Sequence, residues 1–293
     1  MNNTVFDDTF KTIIEKMPEL VIPMVNEVFG KSYSYKEKIT KLATEHKRGE
    51  GSILADSVFS ICSCIYHLEC QSYDDSTMAL RMAEYDFSVA IDNAKKENGL
   101  YVMRFPKSAV IYLRHSKTTP DELLVNVIFP DESEHLYTIP TIKLQDYKTD
   151  EIFEKDLLMA LPFFIMKYEK ELQSIASNSD KKEVFLNEFR ELMICLKNSD
   201  IIIDSESVYN DLVSLMKYVA DYELENYSDL QKEVDDIMGG KLLDLPSDKL
   251  REQFAEGKLA DQIEVYKRCL DRGMSKEEAL DISGLPEDKI PKE

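Results

Sequence analysis

The residues best suited to chemistry lie in one stretch, SILADSVFSICSCIYHLECQSY, residues 52–73. Read as a strand pair, 52–60 and 64–72, its side chains alternate between two faces. Cys62, Cys64, Tyr66, Leu68 and Cys70 form a set apolar enough for a core. Ile65, His67, Glu69 and Gln71 share the other face, which puts a carboxylate and an amide two residues apart beside a histidine. On the preceding strand Asp56 stands among Leu54, Ala55, Val58 and Phe59, an odd setting for a charge. Two acids meeting across a hairpin can form an oxygen site for Mg²⁺ (or Mn²⁺), which takes one or two carboxylates plus substrate phosphate. Such an ion lowers the pKa of a bound water and polarises a phosphodiester. A plainer account fits the same residues: Asp56 as a solvated or turn-bonding side chain, and Glu69-Cys-Gln71 as the polar half of an alternating strand.

The elements that must hold these residues are legible in the periodicity. Phe10, Ile13, Ile14 and Met17 follow helical spacing, and Pro18 restarts a helix that runs to Gly30, so residues 7–29 read as helical. Residues 76–98 form the next helix, with an inward stripe of Met78, Met82, Tyr85 and Val89 and a stop at Asn98-Gly99. Four strand-like runs follow, 100–105, 108–114, 122–129 and 134–144, punctuated by prolines. Beyond Asp150 the spacing is helical throughout: 151–175, 181–197, 205–225, 228–238 and 247–272, then a short pair at 275–283 and 287–291. The front is therefore α+β or α/β, the back all-helical, with the junction near residue 148.

The 293 residues are 43% hydrophobic and 31% charged, enough for one large core or two. No run of 18 apolar residues spans a bilayer, and the opening MNNTVFDDTFK carries acids where a secretory signal carries cations, so a cytoplasmic location is expected. Five cysteines make a disulfide framework a poor expectation. The net charge of −20 argues against a surface that clings everywhere to nucleic acid. It is uneven, however. Residues 31–48 carry Lys31, Lys36, Lys38, Lys41, Lys47 and Arg48 against two acids, and residues 95–117 carry Lys95, Lys96, Arg104, Lys107, Arg114 and Lys117 against Glu97 alone. Such segments can line one positive groove, or simply be solvated strand ends.

The order of helix, strand with Asp56, strand ending His67-Leu-Glu69-Cys-Gln71, and long helix with Arg81 resembles the PD-(D/E)XK nuclease superfamily. More narrowly, it is similar to the recombination-promoting nuclease (Rpn, transposase-31-like) group, in which an Asp is followed by Glu-x-Gln. The opening Asp7-Asp-Thr-Phe10-Lys11 resembles that group's Asp-x-x-Phe-Lys, and residues 254–288 resemble its C-termini. The resemblance implies a restriction-endonuclease-like core of mixed sheet flanked by helices over 1–148, an α+β fold, followed by an all-helical region over 149–293 with its terminal pair at 275–291. It implies a DNA endonuclease linked to recombination or transposition. Asp56 and Glu69 would bind the divalent metal, and Gln71 would orient the attacking water or the scissile phosphate. Arg81 and Lys11 would contact nucleic acid. A neutral Gln hydrogen-bonds water but does not stabilise charge as Lys does.

Two rival readings remain. The three cysteines with His67 suggest zinc, but His67 faces away from them, and buried thiols acting as small hydrophobes suit the pattern better. Alternatively, the front is a catalytically inactive nuclease fold that serves as a protein-interaction or regulatory module, with the acidic helices behind it docking partners or building a homo-oligomer. For Arg81 the plain alternative is an ion pair with Glu84 or Asp74. No membrane or small-molecule cofactor is expected.

Overall fold

A computed structural model describes residues 4–42, 45–48, 51–54, 57–73, 75–203 and 205–239, with positions 263, 266, 267 and 276. The chain divides into two compact units, 1–243 and 244–293, and the residue-148 junction lies inside the first. In the second, the four positions described are helical; the rest of the expected helices 247–272, 275–283 and 287–291 lies outside the described residues.

Helix α1 (Thr4–Lys16) buries Phe6, Phe10 and Ile13 along one side. Pro18 opens a short 3₁₀ turn that feeds α2 (Val21–Phe29). Gly30 ends that helix at φ 58°, a left-handed conformation that glycine adopts without a Cβ clash, and its N–H bonds to Asn26 O.

The strands follow: β1 (Ile39–Lys41), β2 (Glu45–Arg48), β3 (Gly51–Leu54), β4 (Ser57–Ile61) and β5 (Cys64–Gln71). The expected strand 52–60 is thus two elements, and Ala55 and Asp56 between them lie outside the described residues. Helix α3 (Met78–Asp92) is shorter than the sequence suggests. Its expected last turn is instead a hairpin of β6 (Lys95–Glu97) and β7 (Leu100–Val102), closed by Asn98 and Gly99 at φ 48° and 85°. Asn-Gly suits a two-residue hairpin loop as well as a helix end, because both need positive φ. Then come β8 (Lys107–Tyr112), β9 (Glu122–Ile128) and β10 (Glu134–Lys143).

Six strands make a mixed sheet in the order β1-β4-β5-β8-β10-β9, with the central neighbours β5–β8 and β8–β10 parallel and the outer pairs antiparallel. Parallel neighbours need a long crossover, and α3 supplies the one between β5 and β8. It lies on one sheet face, where Met78 and Met82 pack with Val110, Tyr112, Leu123 and Ile139, and Val89 packs with Val58. On the other face Phe29 of α2 meets the Tyr66 ring at 5.3 Å. The architecture is α+β: a mixed sheet flanked by helices, with a helical C-terminal region.

That region comprises α4 (Thr149–Glu154), a 3₁₀ stretch Leu158–Tyr168, α5 (Leu172–Ser177), α6 (Ser179–Lys197), α7 (Asp200–Ile203), α8 (Glu206–Glu223) and α9 (Ser228–Met238). The expected helix 151–175 breaks where Asp156 adopts φ 55° and again around Pro162, which cannot donate to an α-helical ladder. Arg114, just past β8, ties this region to the sheet. Its guanidinium bonds to Glu169 and to Glu223 of α8 (2.8 Å for the latter) and lies 4.8 Å from the Phe6 ring centroid.

Glu223 is only 6% exposed, and burial raises its carboxyl to about pKa 7 although Arg114 pulls it down. A carboxyl raised from 4.5 binds its proton more tightly when folded, so its contribution is full below pH 4.5 and is lost as pH rises through 7. Urea midpoints should therefore fall between about pH 5 and about pH 8. Glu223→Gln should remove up to about 2 kcal/mol of that fall, after discounting for partial solvation. A profile untouched by the substitution would assign the pH dependence to other groups.

Candidate functional site: a buried carboxylate on the central strand

Strand β5 is central, so both of its faces are covered. Leu68 pairs with Ser57, His67 with Val58, Glu69 with Val110, and Gln71 with Tyr112. Alternation places His67, Glu69 and Gln71 toward α3, as the sequence suggests, but this polar face is not an open one. Glu69 is 2% exposed and His67 fully buried. A charge so deep needs partners, and α3 supplies them.

Asp86 faces the sheet from the middle of α3, fully buried. His67 Nδ1 donates to its Oδ1 at 2.7 Å, and the Tyr137 hydroxyl of β10 donates to its other oxygen. On the far side of the ring, His67 Nε2 donates to Glu69 Oε2 at 3.3 Å. Burial alone would depress the imidazole, but the hydrogen bonds and charges of Asp86 and Glu69 outweigh it and raise its pKa to about 9. At neutral pH the ring is an imidazolium clamped between two carboxylates. Sequence reading placed His67 on this face but missed Asp86 and Tyr137. The available signal was position: Asp86 lies four residues after Met82 and three before Val89, a charge on the inward stripe.

Arg81 reaches Glu69 from the first turn of α3. Its Nη2 donates to Glu69 Oε1 at 3.3 Å, its Nη1 to Asp75 at 3.3 Å, and its Nε to the Tyr85 hydroxyl at 3.4 Å. Arg81 is thus paired with Asp75 and Glu69; of the acids that the sequence suggests for it, Asp74 lies outside the described residues. The guanidinium keeps 35% exposure. Gln71 Nε2 donates to the same Glu69 Oε1 at 3.4 Å. Glu69, Gln71 and Arg81 are therefore brought together.

Asp7 and Lys11 lie one turn apart on α1, both half-buried. Burial raises the Asp7 carboxyl, Lys11 pulls it down, and the charges of Asp8 and Glu69 push it up again. The opening Asp-x-x-Phe-Lys segment thus lies within electrostatic reach of Glu69. The Asp56–Glu69 pairing rests on a residue outside the described residues; the described ladder ends with Ser57 opposite Leu68.

The fit to a divalent cation can be judged from the grip on Glu69. Charge-assisted hydrogen bonds are normally 2.7–2.9 Å, and the His67–Asp86 bond is of that kind. The bonds that His67, Gln71 and Arg81 make to Glu69 are longer, at 3.3–3.4 Å. A carboxylate oxygen is a hard donor of the kind that Mg²⁺ and Mn²⁺ prefer, so the donor type of Glu69 fits such an ion. Among the described residues no group of three or more His, Cys, Asp or Glu side chains is arranged to hold a metal. Of the expected pair of ligands, Glu69 alone falls among the described residues. Among the described residues no helix is long and apolar enough to cross a membrane. No protein-family model, curated protein or solved structure matches the chain.

The clamp makes a stability prediction. Asp86→Asn leaves a buried imidazolium with Glu69 as its one remaining carboxylate of the two, which should cost about 3–5 kcal/mol in urea unfolding at neutral pH. The difference from wild type should shrink above pH 9, where the ring is neutral in the folded protein. A cost below about 1 kcal/mol at neutral pH would show that the pair is not a buried ion pair.

Proposed function

We propose that the protein is a divalent-metal-dependent endonuclease of the PD-(D/E)XK type, similar to the Rpn group, that hydrolyses phosphodiester bonds in DNA. The observation that carries this reading is the convergence of Gln71 and Arg81 on the buried Glu69 carboxylate near the end of a central strand. A hairpin strand, a crossover helix and a parallel neighbour surround that carboxylate, an arrangement consistent with the resemblance. In this reading Asp56 and Glu69 hold Mg²⁺ or Mn²⁺, which when bound supplies an activated water and charge neutralisation at the phosphate. Gln71 orients that water or the phosphate. Arg81, partly exposed, offers its planar guanidinium to a phosphate oxygen, a geometry to which it is well matched. Lys11 is a further candidate contact from α1.

A second reading has its own support. His67 and Arg81 already place two cations beside Glu69, so the cluster satisfies itself as a structural ion network, as an inactive fold serving in interaction or regulation would. The C-terminal helices would then carry partner or homo-oligomer contacts.

Plasmid nicking in Mg²⁺ or Mn²⁺, with chelator controls, separates the two. Wild type should nick the plasmid. Asp56→Ala and Glu69→Gln should each reduce cleavage by at least about 10³-fold, the scale expected when a metal ligand or its stabilised charge is lost. Asp56→Ala should keep the wild-type melting temperature, because removing one of two facing carboxylates relieves repulsion. Wild-type cleavage by both variants would overturn the assignment. Complete inactivity of the native protein with every divalent ion tried would favour the interaction reading.

A further inference from the structure

Strand β9 is the last in the sheet order, so one of its two edges faces no other described strand. Which backbone groups line that edge follows from the ends of the ladder. Phe129 N–H donates to Ser133 O at 2.8 Å and Thr141 N–H to Asp121 O at 2.9 Å, so the odd-numbered residues of β9 bond to β10. The N–H and C=O groups of Glu122, Leu124, Asn126 and Ile128 therefore point the other way, and among the described residues no hydrogen bond reaches these backbone groups. Natural sheets blunt such an edge with charge, proline or a bulge. Here residues 123–128 carry neither charge nor proline, and the seven pairs with β10 run without a bulge. Leu124, Ile128 and, across the pair, Leu136 stand on the face away from α3, at 55%, 60% and 56% exposure.

The charge around this edge decides what suits it. Residues 120–138, which cover β9, its turn and the first half of β10, hold Asp121, Glu122, Asp131, Glu132 and Glu134 and no Lys or Arg. Among the described residues only Asp121 of these is tied to a cation, Lys143. Asp131 accepts from Ser133 in its own turn, and Glu134 accepts from Asn126. Glu122 and Glu134 share the face of Leu124, Ile128 and Leu136, so carboxylates there are set among aliphatic side chains. A second copy of the chain suits such an edge badly. Antiparallel self-pairing runs the start of one strand beside the end of the other. That brings Asp121 and Glu122 of each copy toward Asp131 and Glu132 of the other, between two chains of net charge −20. A cationic strand stands in the opposite relation. Its backbone completes the ladder, its apolar residues cover Leu124 and Ile128, and its Lys or Arg side chains meet Glu122 and Glu134.

We propose that the free edge of β9 is a docking site for an extended segment of a basic protein partner, added to the sheet as a further strand with apolar and cationic residues in alternation. The edge lies three strands from β5 and its Glu69, roughly 14 Å at ~4.8 Å per strand. The inference does not rest on the nuclease reading.

The test is fluorescence anisotropy with a labelled, end-blocked peptide of about nine residues in which valine alternates with lysine, and a counterpart with glutamate in place of lysine. Wild type should bind the lysine peptide, more weakly as salt rises, and not the glutamate peptide. Binding should slow amide hydrogen exchange, read by NMR, at Leu124, Asn126 and Ile128 and leave Val125 and Val127 unchanged, because β10 already protects those two. Asn126→Pro removes one outward N–H, a change that an edge strand accepts, and should abolish binding with little loss of melting temperature. Asn126→Ala keeps that N–H and should bind like wild type. Leu124→Lys/Ile128→Lys leaves the backbone free to pair, repels the same peptide and should also abolish binding, which keeps the test open if Asn126→Pro does not fold. Glu122→Lys/Glu134→Lys should lose at least about tenfold, whereas Glu191→Lys/Glu225→Lys, the same charge change at exposed sites elsewhere, should lose less than about threefold. No binding of the lysine peptide, equal binding of the glutamate peptide, or binding indifferent to the edge variants would overturn the proposal. So would a wild-type dimer in sedimentation equilibrium that either edge variant makes monomeric, because that gives the edge to a second copy.

Discussion

The bond between His67 and Asp86 fixes the arrangement of the first unit's central layer. At 2.7 Å between two buried groups it joins β5 to the middle of the helix that crosses over it. Burying either charge alone would be costly, so each is present because the other is. The pairing sets which face of α3 points inward and at what height along β5. Met82 and Val89 then fall onto the sheet, and Arg81, one position before Met82, comes out at the margin next to Glu69. A hydrophobic stripe alone tolerates small slips of a helix over a sheet; a buried ion pair with one geometry does not.

Much of the fold is legible in the sequence because its helices are one-sided. The stripes of α1 and α3 name their own inward faces, and α9 begins and ends where its periodicity does. The strands are located, but their pairing is not, because period-two alternation carries no information about neighbours. The misreadings have physical sources. Asn98-Gly99 offers the same positive φ to a hairpin as to a helix end, and only the residues on either side of it pairing as strands decides between them. The long apolar stretch 157–166 is buried almost throughout, so it lacks the polar side that would mark its turns. Glu69 and Gln71 are visible as a spacing, but their burial is not, since it comes from a helix whose single inward acid looks like any helical aspartate.

Charge is distributed on the same logic. The acids of the C-terminal helices cost little where they are solvated, and several are tied to lysines at exposed margins, as Glu233 is to Lys182 and Glu188 to Lys167. Arg114 is different in kind. Largely buried, it is held by two carboxylates and two aromatic rings, Phe6 and Tyr73, so one cation joins α1, the end of β8 and the helical region. The basic segment 95–117 therefore divides by position: its last arginine is structural, while Lys95, Arg104 and Lys107 line a cleft that has no acid among its described lining residues.

The contrast between the two sides of His67 is the most informative feature of the candidate site. Toward Asp86 the ring is bound tightly, and Asp86 has its second oxygen filled by Tyr137, so nothing on that side is available. Toward Glu69 the bonds from His67, Gln71 and Arg81 are 3.3–3.4 Å, at the weak end of the hydrogen-bond range. The two sides also differ in solvent access: Asp86 is fully buried, whereas Arg81 on the Glu69 side keeps 35% exposure. On the proposed reading, Asp86 and Tyr137 fix the imidazolium from within, and Glu69, on the side reached by Arg81, is the carboxylate that meets the metal. Arg81 itself stands at the margin of the cluster. Held to Glu69 and Asp75 only at 3.3 Å and open to solvent on one side, it would turn to a phosphate without first breaking a strong bond.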